Sequence, residues 1–222
     1  MADARAYPKV GTVVDHLPVR PGLLGDFVGG VWGPAEAGGT RADVSPADTS
    51  DVLGRFADST AADAVRAVDA ARTLPFVDPD RIAVTGGSQG GGIALAAGAP
   101  AGVQAVLPDV AFLCAYRRGT DVAIGGPFQE LATYLSVHRD EVDAAFRTLS
   151  YLDGVNFARR IHAPSLFSVA LMDTIVPPST TFAAYNHLAA ADRAIEVYPF
   201  NGHEGGQAAH WHKQAAWLAE RI

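Results

Sequence analysis

Ile82-Ala83-Val84-Thr85-Gly86-Gly87-Ser88-Gln89-Gly90-Gly91-Gly92 is the stretch on which the reading of this chain turns. The first four residues are apolar or β-branched and predict a short strand buried on both faces. Gly86, Ser88 and Gly90 then fall in the pattern G-x-S-x-G, the nucleophile elbow, in which a serine stands on a strained turn between a strand and a helix. Such a turn brings the residues two before and two after the serine together. Gly86 and Gly90 are therefore expected to be small because nothing larger fits. The predicted product is a hydroxyl raised above the end of a sheet, with helix-start N–H groups beside it. Two other readings of these glycines fail. A P-loop needs Lys and then Ser or Thr after its last glycine, and Gly92 runs into Ile93. A dinucleotide fingerprint begun at Gly90 and Gly92 would need a third glycine where Leu95 stands.

Outward from this stretch, alternating strands and helices follow. A helix is expected over residues 61–72, where Ala61, Val65 and Val68 share a face and Thr60 with Asp63 resembles a capping box. The helix after Ser88 should reach residue 97 and stop near Gly98 and Pro100. Residues 103–107 read as the next strand, ending at Pro108-Asp109. Residues 116–162 read as an insertion of helical character, with apolar spacing over 128–137 and 141–149. A strand at 165–170, a helix at 177–190, a strand at 194–199 and a closing helix at 207–221 complete the series. Such alternation implies a parallel sheet covered by helices on both faces, with its active edge at the carboxyl ends of the strands. The first 57 residues are different. Strands are expected at 9–14 and 23–32, loop over 36–51, and no helix. The chain thus divides into a divergent segment, 1–57, and a core, 58–222.

A serine hydroxyl attacks only when a base takes its proton, and the base is a histidine held in one tautomer by a carboxylate. The elbow implies the chain order Ser, then Asp or Glu, then His. Asp173 directly follows the strand at 165–170, and His203 lies between glycines after the last strand, so Ser88, Asp173 and His203 are the expected triad. Asp109 also follows a strand and is the main rival carboxylate; Asp153, in the insertion, is a weaker one. The Gln89 N–H is the expected first oxyanion donor. No loop in residues 1–57 offers itself as the second. His162, His187, His210 and His212 are read as surface or packing residues, and His16 falls in the unassigned segment. His210 and His212 are two apart on one helix and point to different faces, so they make no metal pair. Neither a metal nor a cofactor is expected.

Composition sets outer bounds. The chain has 222 residues, 49% of them apolar, enough for one α/β domain with a real core. A net charge of −7 argues against nucleic acid or an anionic membrane as partner. One cysteine excludes an internal disulfide and fits a reducing compartment. The start has no apolar run like that of a signal peptide, and residues 91–107, the longest apolar stretch, are broken by Pro100 and Gln104. A cytoplasmic location is the expectation.

Four runs carry a resemblance well beyond the elbow: Asp78-Pro-Asp-Arg-Ile-Ala-Val-Thr-Gly-Gly-Ser-Gln-Gly-Gly-Gly92, Phe146-Arg-Thr-Leu-Ser-Tyr-Leu-Asp-Gly-Val-Asn-Phe157, Leu171-Met-Asp-Thr-Ile-Val-Pro-Pro178 and Tyr198-Pro-Phe-Asn-Gly-His-Glu-Gly-Gly206. They resemble the acetyl xylan esterase/cephalosporin-C deacetylase family, from about residue 58 to the end. The resemblance implies an α/β-hydrolase fold and deacetylation of acetylated xylo-oligosaccharides and cephalosporin C. It also implies a cytoplasmic homo-oligomer and the triad Ser88, Asp173 and His203. Residues 1–57 do not resemble the family, whose longer front half carries the first strands and a His-Gly-Tyr loop for the second oxyanion donor. The expectation is that those strands are lost or replaced in this chain. Loss of one oxyanion donor costs ~10²–10³ in turnover. A weakly active or inactive remnant, and a peptidase of the prolyl-oligopeptidase type, therefore stand as alternatives to the esterase.

Overall fold

The structure of the protein is a computed structural model that describes residues 61–222 and five strand segments before them. These are β1 (Leu23–Leu24), β2 (Asp26–Val28), β3 (Val31–Gly33), β4 (Thr40–Val44) and β5 (Val52–Ala57). The expected strand at 9–14, His16 and Thr60 lie outside the described residues. β5 lies between β1, its parallel partner, and β4, its antiparallel one, while β2 and β3 form a separate antiparallel pair. The sequence expectation needs two corrections here. The stretch read as one strand over 23–32 is three short ones. The two residues between β2 and β3 are Gly29 and Gly30, a composition favoured in two-residue hairpin connections. Thr40–Val44, inside the stretch read as loop, is a strand because β5 supplies its ladder, which local composition does not register. Among the described strands, none of these five pairs with the main sheet.

The main sheet has four parallel strands in the order β6 (Ala83–Gly87), β7 (Ala105–Asp109), β8 (Ser165–Ala170), β9 (Arg193–Tyr198). β8 is buried along its whole length and β7 nearly so, whereas the outer strands are half-buried. Successive side chains go to opposite faces. Val84, Val106 and Phe167 enter one core with Val68, Leu95 and Ile161. Ala83, Ala105, Leu107 and Leu166 enter the other with Trp217 and Leu218. The first face is covered by α1 (Ala61–Arg72), α2 (Gln89–Gly98), α6 (Gly154–Ala158) and α7 (Pro178–His187), and the second by α8 (Gln207–Ala219). α2 consists mostly of glycine and alanine and is buried from Gly91 onward apart from Ile93. Its small residues let the helix lie directly on β7, where a Cβ on Gly98 would meet Val106 Cγ2 at 2.6 Å.

The helical insertion contains α3 (Tyr116–Val122), α4 (Gly126–Val137), a 3₁₀ turn (Arg139–Glu141), α5 (Val142–Leu149) and α6. Asp153 organises its two ends. One carboxylate oxygen accepts the N–H groups of Ala115 and Val155 at 2.9 Å each, and the other accepts that of Tyr116 at 3.2 Å. Asp153 therefore caps α6 and the start of α3 together, with Ala115 in the left-handed region at φ 49°. A ring cluster of Phe112, Tyr116 and Phe128 packs beneath, its closest centroids 4.7 Å apart.

Candidate active site

The elbow begins with a parallel register that pairs Gly87 with Asp109. Ser88 donates its N–H to Asp109 O at 2.9 Å, and its own carbonyl accepts from Phe112 N at 2.9 Å. Between these bonds Ser88 is held at φ 54°, ψ −118°, a strained conformation for a residue with a Cβ. Gly86 is indispensable to it, since a Cβ there would run into the Gly90 main chain. Gly90 differs from expectation: a Cβ on it would meet no described residue. The crowding falls on the Gly90 backbone, whatever its side chain, so the size limit belongs to Gly86. Gln89 is the first residue of α2, and its N–H has no acceptor within the helix.

The structure brings Ser88, Asp173 and His203 together from three strand ends. His203 Nε2 lies 2.9 Å from Ser88 Oγ, and His203 Nδ1 lies 2.8 Å from Asp173 Oδ2. Asp173 is buried, and its other oxygen accepts the N–H groups of Ile175 and Val176 at 2.9 and 2.8 Å. Two backbone donors and the His203 ring thus converge on one carboxylate, which acts as their shared acceptor. With Asp173 accepting, Nδ1 carries the imidazole proton and Nε2 is free to accept from Ser88 Oγ–H. The loop of His203 is braced by Glu204, whose Oε1 accepts Gly202 N–H at 3.1 Å and Asn201 Nδ2–H at 3.2 Å. Backbone N–H groups of Glu204 and Gly202 hold that exposed carboxyl below its usual value.

Of the rival carboxylates, Asp153 is the helix cap described above. Asp109 lies beside the His203 loop, at Gly205. A Cβ on Gly205, at φ +60°, would lie 3.3 Å from Asp109 Oδ1. Burial pushes the Asp109 carboxyl up to about 6, against the opposing pull of His203. His210 is also buried, with Nδ1 3.0 Å from Tyr198 Oη, and burial lowers its pKa. His162, His187 and His212 are exposed. Among the described residues, no group of three or more His, Cys, Asp or Glu side chains is arranged to hold a metal ion. No described helix is long and apolar enough to cross a membrane. The buried pair Asp109 and His210 is what sequence reasoning missed. The one signal for it was the position of Asp109 at a strand end beside the elbow.

A serine on a strained turn after a parallel strand, followed in chain order by a carboxylate and a histidine at later strand ends, defines an α/β-hydrolase. A family model for acetyl xylan esterases matches residues 58–221, and the chain belongs to that family. It is 30% identical over 161 residues to an acetyl esterase of Xylanibacter ruminicola, covering 71% of this chain and 35% of that protein. An acetyl xylan esterase from Paenibacillus superposes with a TM-score of 0.69 at 38% identity, over 73% of this chain and 52% of the other. Acetyl xylan esterase 1 from Thermoanaerobacterium gives 0.66 at 34% identity, over 72% and 51%. The chain thus spans about half the length of these solved relatives and about a third of the curated one.

Proposed function

We propose that this chain is a serine carboxylesterase that removes acetyl groups from acetylated xylo-oligosaccharides and from cephalosporin C, acting as a cytoplasmic homo-oligomer. The observation that carries the reading is the unbroken hydrogen-bond line from Asp173 through His203 to Ser88 Oγ. In the first half-reaction Ser88 Oγ attacks the acetyl carbonyl carbon while His203 Nε2 takes the hydroxyl proton. The oxyanion that forms accepts the Gln89 N–H. Collapse of the intermediate breaks the ester C–O bond, and His203 returns the proton to the departing sugar oxygen. Water then attacks the acetyl-serine, again giving its proton to Nε2, and acetate leaves as Ser88 recovers the proton. Asp173 keeps the ring oriented and stabilises its charged form throughout. The acetyl and xylan part of the reading is supported by family membership and by the likeness to an acetyl esterase and to acetyl xylan esterases.

The test is labelling of purified protein with a fluorophosphonate probe beside a Ser88→Ala control, followed by turnover of p-nitrophenyl acetate and of acetylated xylo-oligosaccharides. Labelling lost in the control, with acetate release from the sugars, is the expected result. Folded protein that neither labels nor releases acetate overturns the reading.

A further inference from the structure

Asp109 has no step in the cycle just described, yet it touches both ends of the machinery. Its carbonyl holds the Ser88 N–H at 2.9 Å. Its carboxylate faces the loop of His203, with Oδ1 and Oδ2 at 3.3 and 3.7 Å from where a Gly205 Cβ would lie. That carboxylate is unusually placed. Among the described residues, Oδ1 is buried without a hydrogen-bond partner, and so is His210 Nε2, 4.0 Å away. Both residues line an open pocket of about 200 Å³, together with Thr85, Gln207, Trp211 and Gln214. An ionised carboxylate with an unsatisfied buried oxygen costs more stability than an amide of the same size, and an apolar side chain would avoid the cost. Unfavourable charges of this kind concentrate where the charge itself has a task.

The groups around Asp109 show which task. His210 lies 4.0 Å away on α8, and His203, on the loop after β9, and Tyr198, on β9, interact with its charge. Lys213 and Glu196 act on His210 and Tyr198, one layer further out. His203 is the neighbour that gains a full positive charge during turnover. We infer that Asp109 is a positioning residue for the acyl-transfer reaction. Its main chain fixes the Ser88 turn, and its unpaired carboxylate supplies a second negative charge, after that of Asp173, to the imidazolium that His203 becomes. This rests on the esterase reading. A charge that meets its partner only after the proton has moved favours the transition state over the resting enzyme. Because the carboxyl titrates at about 6, acidification through that pH removes this charge.

The experiment is the pH dependence of p-nitrophenyl acetate turnover for the wild type and for Asp109→Asn, with fluorophosphonate labelling to count assembled sites. In the wild type the acid limb should contain two ionisations and fall more steeply than one proton allows. Asp109→Asn should still label. Its kcat per labelled site should drop about tenfold, the size of one pKa unit of lost interaction. Its acid limb should become a one-proton limb at lower pH, with KM nearly unchanged. A purely structural residue would lower kcat and leave the shape of the limb alone, and that outcome overturns the inference. A variant with wild-type kcat overturns it too. If Asp109→Asn does not fold, the wild-type limb decides alone, since a one-proton slope there refutes the role. Turnover with a one-proton limb removes this inference only, whereas absence of turnover removes the esterase reading and this inference with it.

Discussion

Asp173→Asn changes one atom of the site, and the structure fixes what that change does. Asp173 Oδ1 accepts two backbone N–H groups at 2.9 and 2.8 Å, and Oδ2 lies 2.8 Å from His203 Nδ1. An asparagine has one oxygen to offer. If it faces Ile175 and Val176, both backbone donors stay satisfied and the amide NH₂ is turned toward His203. The reverse orientation sets NH₂ against two buried N–H groups. Leaving a buried backbone N–H without an acceptor costs roughly 1–3 kcal/mol, so with two such groups the first orientation is favoured by roughly 2–6 kcal/mol. At about 1.4 kcal/mol per decade, that is a bias of ~10–10⁴. An NH₂ facing Nδ1 forces that nitrogen to accept, moves the imidazole proton to Nε2, and leaves nothing to take the proton of Ser88. The kcat should therefore fall by ~10–10⁴, the upper end matching the fall known for a wrong-tautomer serine hydrolase. The assay is p-nitrophenyl acetate turnover at about pH 8, normalised to folded protein by circular dichroism. A folded variant keeping more than about a tenth of wild-type kcat refutes the argument that Asp173 sets the tautomer.

Gly86→Ala should abolish fluorophosphonate labelling and destabilise by about 1–3 kcal/mol, because its methyl group has only the Gly90 main chain to enter; a wild-type melting curve with normal labelling contradicts this. Asp153→Ala should lower stability by about 3 kcal/mol through the loss of its three N–H partners, read as a drop in the urea midpoint, while kcat per labelled site holds. Asp109→Asn should be more stable than the wild type by ~1–3 kcal/mol at neutral pH. The sign follows from burial. The folded carboxyl titrates at about 6 against 3.8 for a free one, so the folded state binds this proton more tightly. Wild-type stability then falls as pH rises from 3.8 to about 6, and the advantage of the variant should shrink as pH drops through the same window. Chemical denaturation at several pH values measures it, and a gap that is flat with pH contradicts the assignment.

The sequence alone determined the elements that depend on local chemistry. The elbow was legible because Gly86, Ser88 and Gly90 answer a demand of the backbone within five residues. The helix at 61–72 and the strand at 165–170 were legible because periodicity and burial coincide there, and both occur with the expected bounds. Asp173 and His203 could be picked out because a parallel sheet sends every strand end to one edge, so chain order stands in for proximity. Tertiary structure decided the rest. β4 exists because β5 lies beside it, and its own residues read as loop. Asp153 looked like a rival carboxylate, and only the meeting of residues 115–116 with α6 makes it a cap. Asp109 and His210 are 101 positions apart in the chain, yet the packing of α8 on β7 leaves their polar atoms 4.0 Å apart, buried and without a partner among the described residues. No local pattern records such a pair, because its energy arises from desolvation and from charges that meet only once the chain has folded.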